Sequence, residues 1–379
     1  MTSIAIVGVG ETRYAKRLGR DIVELALEAA EEAARDAGID VREIDGLVAP
    51  WAEYAARHEL ARCLGIDGRF FAASSLSSGA ATVSAPLVAE WAIGSKLASV
   101  VLCVQAIAWG SERAGDVGRP HAAMKMKAVL ELPFGWYPQI VQFAGMARRH
   151  MELYGTTEDQ LAAVALAARK HASLCENAIL RTPLTLEEYR SAPLLADPFR
   201  AMDCCLVNDG AAAFLVTSLE RARDLRKRPV RVLGVGQGVV PGGEFSNLRP
   251  DYLSTGAVFS GPRALARAGI TLADVDFVEL YDNFTSMVIE QLEDLGFCKK
   301  GEGGPFVEGG RIELGGELPV NTSGGQLAQA FVLSANLVVE AVRQLRGECG
   351  PRQVEGAEVG LVTGYTGAEH ATLVLARDR

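Results

Sequence analysis

A phenol, a carboxylate and a carboxamide stand side by side at Tyr281-Asp282-Asn283. They follow the apolar run Phe277 to Leu280 and precede Phe284-Thr285. The run has a strand pattern, and Met287, Val288, Gln291, Leu292 and Leu295 keep the three-and-four spacing of an amphipathic helix. Polar groups where a strand hands over to a helix lie at the carboxyl edge of a sheet, where open α/β proteins bind ligands. Tyr281 can give or take a proton there if its surroundings hold its pKa suitably against an ordinary value of about 10. Asp282 can do acid–base work, or it can cap the following helix. Two further groups with proton chemistry, Tyr365 and His370, lie in and just after the glycine-bracketed loop Thr363-Gly364-Tyr365-Thr366-Gly367. His370 opens the last strand, where a half-exposed ring needs no catalytic role.

The elements that must position these groups belong to an ordinary globular chain. It has 379 residues, 49% hydrophobic and 22% charged, enough for one large core or two. A net charge of −9 argues against a nucleic-acid partner. No basic run points to a membrane surface and no apolar stretch reaches spanning length, so a cytoplasmic location is expected. The seven cysteines are scattered and contain no CxxC, which reads as reduced thiols with no metal site. Gly8-Val9-Gly10 follows a first strand, Ile4 to Val7, but lacks the third glycine of a dinucleotide fingerprint.

The chain repeats itself. Val230 to Gly236 echoes the first strand and its glycines, and Ala266 to Ile270 echoes Arg35 to Ile39. Ser78-Gly79 opens a helix through Trp91, as Ser323-Gly324 opens one through Leu345. Strands 100–103 and 359–362 correspond, as do 210–216 and 367–374. The order is preserved throughout. The expected organisation is therefore two related α/β halves, 1–225 and 226–379. The first half carries an insertion of about a hundred residues, roughly 107–205. It contains Met124-Lys125-Met126-Lys127, a helix from Ile140 to Leu153 and another from Thr157 to Ala172, and is expected to form a lid. The vicinal pair Cys204-Cys205 reads as core or interface.

Two tandem α/β halves, an inserted lid and the Tyr281 junction resemble the thiolase superfamily, above all its sterol-carrier-protein-x and lipid-transfer-protein branch. The phrases carrying this include Tyr154 to Leu161, Pro183 to Tyr189, Asn208 to Ala213, Leu295 to Cys298 and Pro319 to Gly325. The resemblance implies a five-layer αβαβα architecture, a homodimer, and acyl-CoA substrates with coenzyme A as part of the substrate and no bound cofactor. It also maps the family's catalytic positions. The nucleophilic cysteine falls on Leu76, the histidine of the second loop on Phe331, and the last loop, 363–367, has no cysteine.

Acyl-cysteine chemistry is therefore not expected. The resemblance instead implies an aldolase-like carbon–carbon lyase acting on a β-hydroxyacyl-CoA, with Tyr281 moving the proton. Tyr365, Asp282 and His370 are candidates to complement it. Leu76, Ser77, Ser78, Gly79, Gly324, Gly325, Phe331, Gly364 and Gly367 are expected to line the substrate site, with backbone N–H groups at Leu76 and in the 364–367 loop polarising the thioester. A partner with a small OB-fold and a zinc ribbon is also implied. The rival readings are a non-catalytic acyl-CoA or lipid binder or scaffold, and a thiolase using a displaced cysteine, Cys103 or Cys298.

Overall fold

The computed structural model describes residues 2–50, 54–66, 71–73, 78–111, 129–136, 138–243 and 248–378. The first half runs β1 (Ile4–Glu11), α1 (Ile22–Ala37), β2 (Gly46–Val48), α2 (Tyr54–Cys63), β3 (Phe71–Ala73), α3 (Ser78–Gly94) and β4 (Val100–Ala108). The insertion contributes α4 (Gln139–Tyr154), α5 (Glu158–Ser173), α6 (Leu186–Ser191) and a hairpin, β5 (Leu194–Ala196) with β6 (Phe199–Arg200). Then come β7 (Asp209–Ser218), α7 (Leu219–Ala222), β8 (Val230–Val239), α8 (Ala257–Ala268), β9 (Phe277–Glu279) and α9 (Thr285–Leu295). The chain closes with α10 (Gly303–Phe306), α11 (Gly325–Ala328), α12 (Ala335–Arg346), β10 (Val359–Tyr365) and β11 (Glu369–Arg377).

The large sheet has the order β3-β2-β4-β7-β1-β8-β11-β10-β9 among the described residues. It is two half-sheets joined where Ala5 and Ile6 of β1 pair with Arg231 and Val230 of β8. The second half repeats the first. β2 is parallel to β3 and β4, and β9 is parallel to β10 and to a one-residue bridge at Val320. The next two pairings are antiparallel in both halves. Helices α3 and α12 touch strands of both half-sheets, while α1 packs outside the first and α8 outside the second. That is the expected αβαβα stacking.

Local chemistry explains the boundaries. Asp21 caps α1 and Gly38 ends it in the left-handed region. Thr157 and Gln160 form a capping box on α5. The strand after Met1-Thr2-Ser3 is longer than its apolar run, because Gly8 and Gly10 are inside it. A side chain at either would collide with backbone oxygens of Ala33 or Ala29, so these glycines let α1 lie close on the strand. The helix expected from Ser323-Gly324 to Leu345 is broken into α11 and α12. Leu333 and Ser334 adopt positive φ at the break, and the resulting loop carries Phe331.

Candidate active site

Tyr281 sits at the end of β9 with its ring against the amino-terminal turn of α3. A methyl group on Gly79 would strike that ring, and one on Gly364 would strike the carbonyl of Gly79. Glycine at both positions brings β10, α3 and the phenol together. Phe331 meets Tyr281 edge-on at 6.1 Å between centroids, and Tyr365 does so at 6.3 Å. Trp109 lies tilted against Phe331 at 5.2 Å, and Phe143 lies 6.2 Å from Tyr365. Tyr281 is 4% exposed. Burial, with Cys205 as the next contributor, raises its pKa well above the usual phenol value, and a hydrogen bond with the Ser78 side chain offsets part of this. The residue is thus a neutral phenol. Among the described residues, no cation is one of its main influences, as a resting phenolate base would need.

The backbone beneath Tyr281 is fixed by a buried polar hub. The Tyr281 N–H donates to Thr363 Oγ1 (2.8 Å), and Thr363 Oγ1 donates to Gln291 Oε1 (2.7 Å). Gln291 Nε2 donates to the carbonyls of Tyr281 and Met287, both at 2.8 Å. His370 Nε2 lies 3.2 Å from Gln291 Oε1, and its Nδ1 lies 2.7 Å from Ser260 Oγ. With Gln291 Oε1 as acceptor, Nε2 carries the proton and Nδ1 accepts from Ser260. The ring is fully buried, not half-exposed, and burial pushes its pKa down to about 3. His370 is therefore a neutral support behind Tyr281, not a proton mover.

The Asp282 carboxylate is also taken up by the framework. It accepts N–H bonds from Gln326 (2.8 Å) and Leu327 (3.2 Å). It staples α11, 44 residues on, and does not cap the α9 helix that follows it. Burial raises its pKa to about 6 against those hydrogen bonds. Gly325 at the start of α11 has φ of +59°, and a side chain there would meet this carboxylate. Gly324 packs instead against Ala172 of α5. The Tyr365 hydroxyl donates to the carbonyl of Gly367 (2.7 Å), which Arg249 also contacts. Burial raises the Tyr365 pKa to about 12 despite Arg249. In the 364–367 loop the Thr366 N–H is already bonded to Glu369. Leu76 and Ser77, like Met124 to Lys127 of the insertion, lie outside the described residues.

The structure gathers Tyr281, Phe331, Tyr365, Ser78, Gly79 and Gly364, and assigns Asp282 and His370 to the framework. Thiol chemistry is disfavoured. Burial raises the pKa of Cys103 well above normal, that of Cys298 to about 12, and that of Cys205, the thiol neighbouring Tyr281, well above normal.

One group stands out that the sequence did not flag. Glu290 on α9 is fully buried, and neither carboxylate oxygen has a hydrogen-bond partner among the described residues. Burial raises its pKa to about 8, with Lys300 opposing. A glutamate on a helix with other charges reads as solvent-facing, and nothing in the spacing marks it otherwise. A carboxyl whose pKa is higher folded than unfolded binds extra protons on folding. Its share of stability is whole below about pH 4 and falls as pH rises to about 8. The share lost is on the order of 3–5 kcal/mol. Glu290→Gln is expected to flatten the fall of the urea midpoint between pH 5 and pH 9; an unchanged slope would show that Glu290 ionises freely in the fold.

Comparisons with known proteins give the chain's family. Residues 244–377 match the family model described as thiolase C-terminal domain-like. The chain is 37% identical over 383 residues to the 17-hydroxy-3-oxo-4-pregnene-20-carboxyl-CoA lyase of Mycobacterium tuberculosis, covering 98% of each. It is 35% identical over 392 residues to the steroid side-chain-cleaving aldolase of Thermomonospora curvata, covering 99% of this chain and 98% of the relative. Among solved structures it superposes on the Ltp2-ChsH2(DUF35) aldolase with a TM-score of 0.92 at 36% identity, covering 100% of this chain and 98% of that one. Human mitochondrial 3-ketoacyl-CoA thiolase, at 15% identity and a TM-score of 0.74, shares the fold.

Proposed function

Because the chain belongs to the thiolase superfamily, in its lipid-transfer-protein, aldolase-like branch, and is a thiolase-fold acyl-CoA lyase, we propose that it cleaves a β-hydroxyacyl-CoA by a retro-aldol step relayed through Tyr281. The observation that carries this is a neutral, buried phenol pressed on the start of α3 between two aromatic rings. The bond between Cα and Cβ breaks. Its electron pair passes into the thioester as an enolate, while the β-hydroxyl becomes a carbonyl and gives up its proton. The Tyr281 oxygen takes that proton as its own passes to the enolate carbon, so the phenol ends as it began. A shorter acyl-CoA and a ketone or aldehyde leave. A relay that never charges the phenol suits a site where burial penalises the phenolate. Phe331, Trp109 and Tyr365 exclude water, which strengthens the donor bond to the developing enolate.

Coenzyme A enters here only as part of the substrate. The relatives' names support an acyl group with a bulky apolar body. The complex named for the similar aldolase supports a second protein that assembles with this chain, and a small OB-fold, zinc-ribbon subunit is the kind we propose. The test is to incubate the protein, alone and with the product of a neighbouring gene, with a panel of β-hydroxyacyl-CoAs. Release of a carbonyl compound together with a shorter acyl-CoA, and no acylated cysteine by mass spectrometry, is the expected result. Acylation of any cysteine would overturn the relay.

A further inference from the structure

A cleft of about 320 Å³ opens at the edge of the large sheet opposite to Tyr281. Its walls come from the start of β8 with Arg231, the start of β10 with Glu358 just before it, and the end of β11 with Arg377 and Asp378. Arg223, in the segment after α7, completes it. Arg231 pairs across the strands with Ala376, the neighbour of Arg377, so the two arginines are brought together by strand register. β10 runs from this rim to Tyr365, seven residues in all. At a rise of about 3.3 Å per residue, about 20 Å separate the cleft from the reaction centre.

The charges in the cleft do not balance. Three guanidiniums line it against two carboxylates, and Arg228 stands close enough to act on Asp378 as well. Arg223 is committed to Asp378, through Nε at 2.9 Å and Nη2 at 3.1 Å. Those bonds, with the charges of Arg231 and Arg228 behind them, hold the Asp378 carboxyl below its usual range. Arg231 and Arg377 make no ion pair among the described residues. The Arg377 Nε is shut off from solvent and has no acceptor among the described residues. A buried donor in that state is costly, and a ligand that brings an acceptor removes the cost. In a chain of net charge −9, cations gathered at one cleft also set it apart electrostatically from its surroundings.

We propose that this cleft binds a small phosphate-bearing anion, with Arg231 and Arg377 as its principal donors and the Arg223–Asp378 pair as one wall. A planar guanidinium can grip phosphate oxygens through two parallel N–H bonds, and two such groups stand unpaired here. The volume exceeds what a bare phosphate ion fills and reaches the lower end of small-molecule pockets, about 300 Å³, so a phosphate group with a modest organic body also fits. Asp378 limits the charge of the ligand. It already occupies Arg223 and repels a further anion, which favours one phosphate group over a polyphosphate. The site stands apart from the reaction at Tyr281 and does not depend on it.

Titration calorimetry of the full chain at low ionic strength tests it, with inorganic phosphate, adenosine monophosphate and uncharged adenosine as probes. The two phosphates should bind with a Kd of about 1 mM or tighter, and adenosine should not bind. Arg231 is exposed and Arg377 half-buried, so substitution at either leaves the core intact. Arg231→Gln and Arg377→Gln should each weaken phosphate binding by about tenfold. Asp378→Asn keeps an acceptor for Arg223 and removes the competing charge, so it should tighten binding by roughly threefold or more. Equal affinity for the ion and the nucleotide would identify free phosphate as the ligand, and a tighter nucleotide would identify a phosphate monoester; either result supports the site. Phosphate binding that neither glutamine variant changes would place the anion elsewhere on the chain and overturn the proposal. So would the failure of both phosphates to bind at millimolar concentration.

Discussion

Tyr281→Phe lowers kcat for cleavage of a β-hydroxyacyl-CoA by about 10²- to 10⁴-fold and leaves KM within about threefold. The substitution removes one oxygen. The ring keeps its contacts with Gly79, Phe331 and Tyr365, so the pocket that binds the thioester is unchanged. What is lost is an interaction made only as the carbon–carbon bond breaks. The same burial has a consequence for pH. Because the phenol pKa lies above its ordinary range, the native kcat should not climb toward pH 9 as it would for a phenolate base. Steady-state kinetics of the two proteins from pH 6 to pH 9 check both statements. A loss smaller than about tenfold would remove Tyr281 from the proton path.

Gln291→Leu carries the largest expected cost in stability, roughly 3–6 kcal/mol, read as a lower urea midpoint. The side chains are close in size, so little packing is lost. The damage comes from the polar groups left behind. The Tyr281 carbonyl, the Thr363 hydroxyl and the His370 ring all bond to Gln291, and all are buried. Each unsatisfied group costs about 1–3 kcal/mol. Activity should fall as well, because the Tyr281 N–H is held by Thr363 and its carbonyl by Gln291. A variant that keeps both its urea midpoint and its kcat would show that the hub is not what positions the phenol.

The reach of the sequence is uneven, for physical reasons. The switch from strand period to helical spacing at Tyr281 is local, and it located the residue at the sheet edge correctly. The repeated glycines are legible because one close strand–helix approach recurs, Gly8 and Gly10 against α1 and Gly234 and Gly236 against α8. Asp282 and His370 could not be read the same way. Their partners, Gln326 and Leu327 for one, Ser260 and Gln291 for the other, lie 44 to 110 residues away, and no spacing reveals them. The helix after Tyr281 looked amphipathic, yet its residues from Thr285 to Glu293 are all buried. It is enclosed by α5, α8 and α10, so its one glutamine and two glutamates face protein and not water. Spacing put Gln291 on the inner face of that helix but not its role in holding the site together, and Glu290, which ionises reluctantly, escaped a reading based on polarity. The break that presents Phe331 was missed for a similar reason. It depends on positive φ at Leu333 and Ser334, where no glycine or proline signals a stop.

In the proposed step a phenol returns one proton to an enolate without any bond forming between enzyme and substrate. Cleavage of a β-hydroxyacyl-CoA in deuterium oxide, with the released acyl-CoA analysed by mass spectrometry, addresses it most directly. A single deuterium is expected at the α-carbon of that product, delivered rapidly by the native protein and about 10²-fold or more slowly by Tyr281→Phe. An α-carbon without deuterium, or an acyl group found on the protein during turnover, would contradict it.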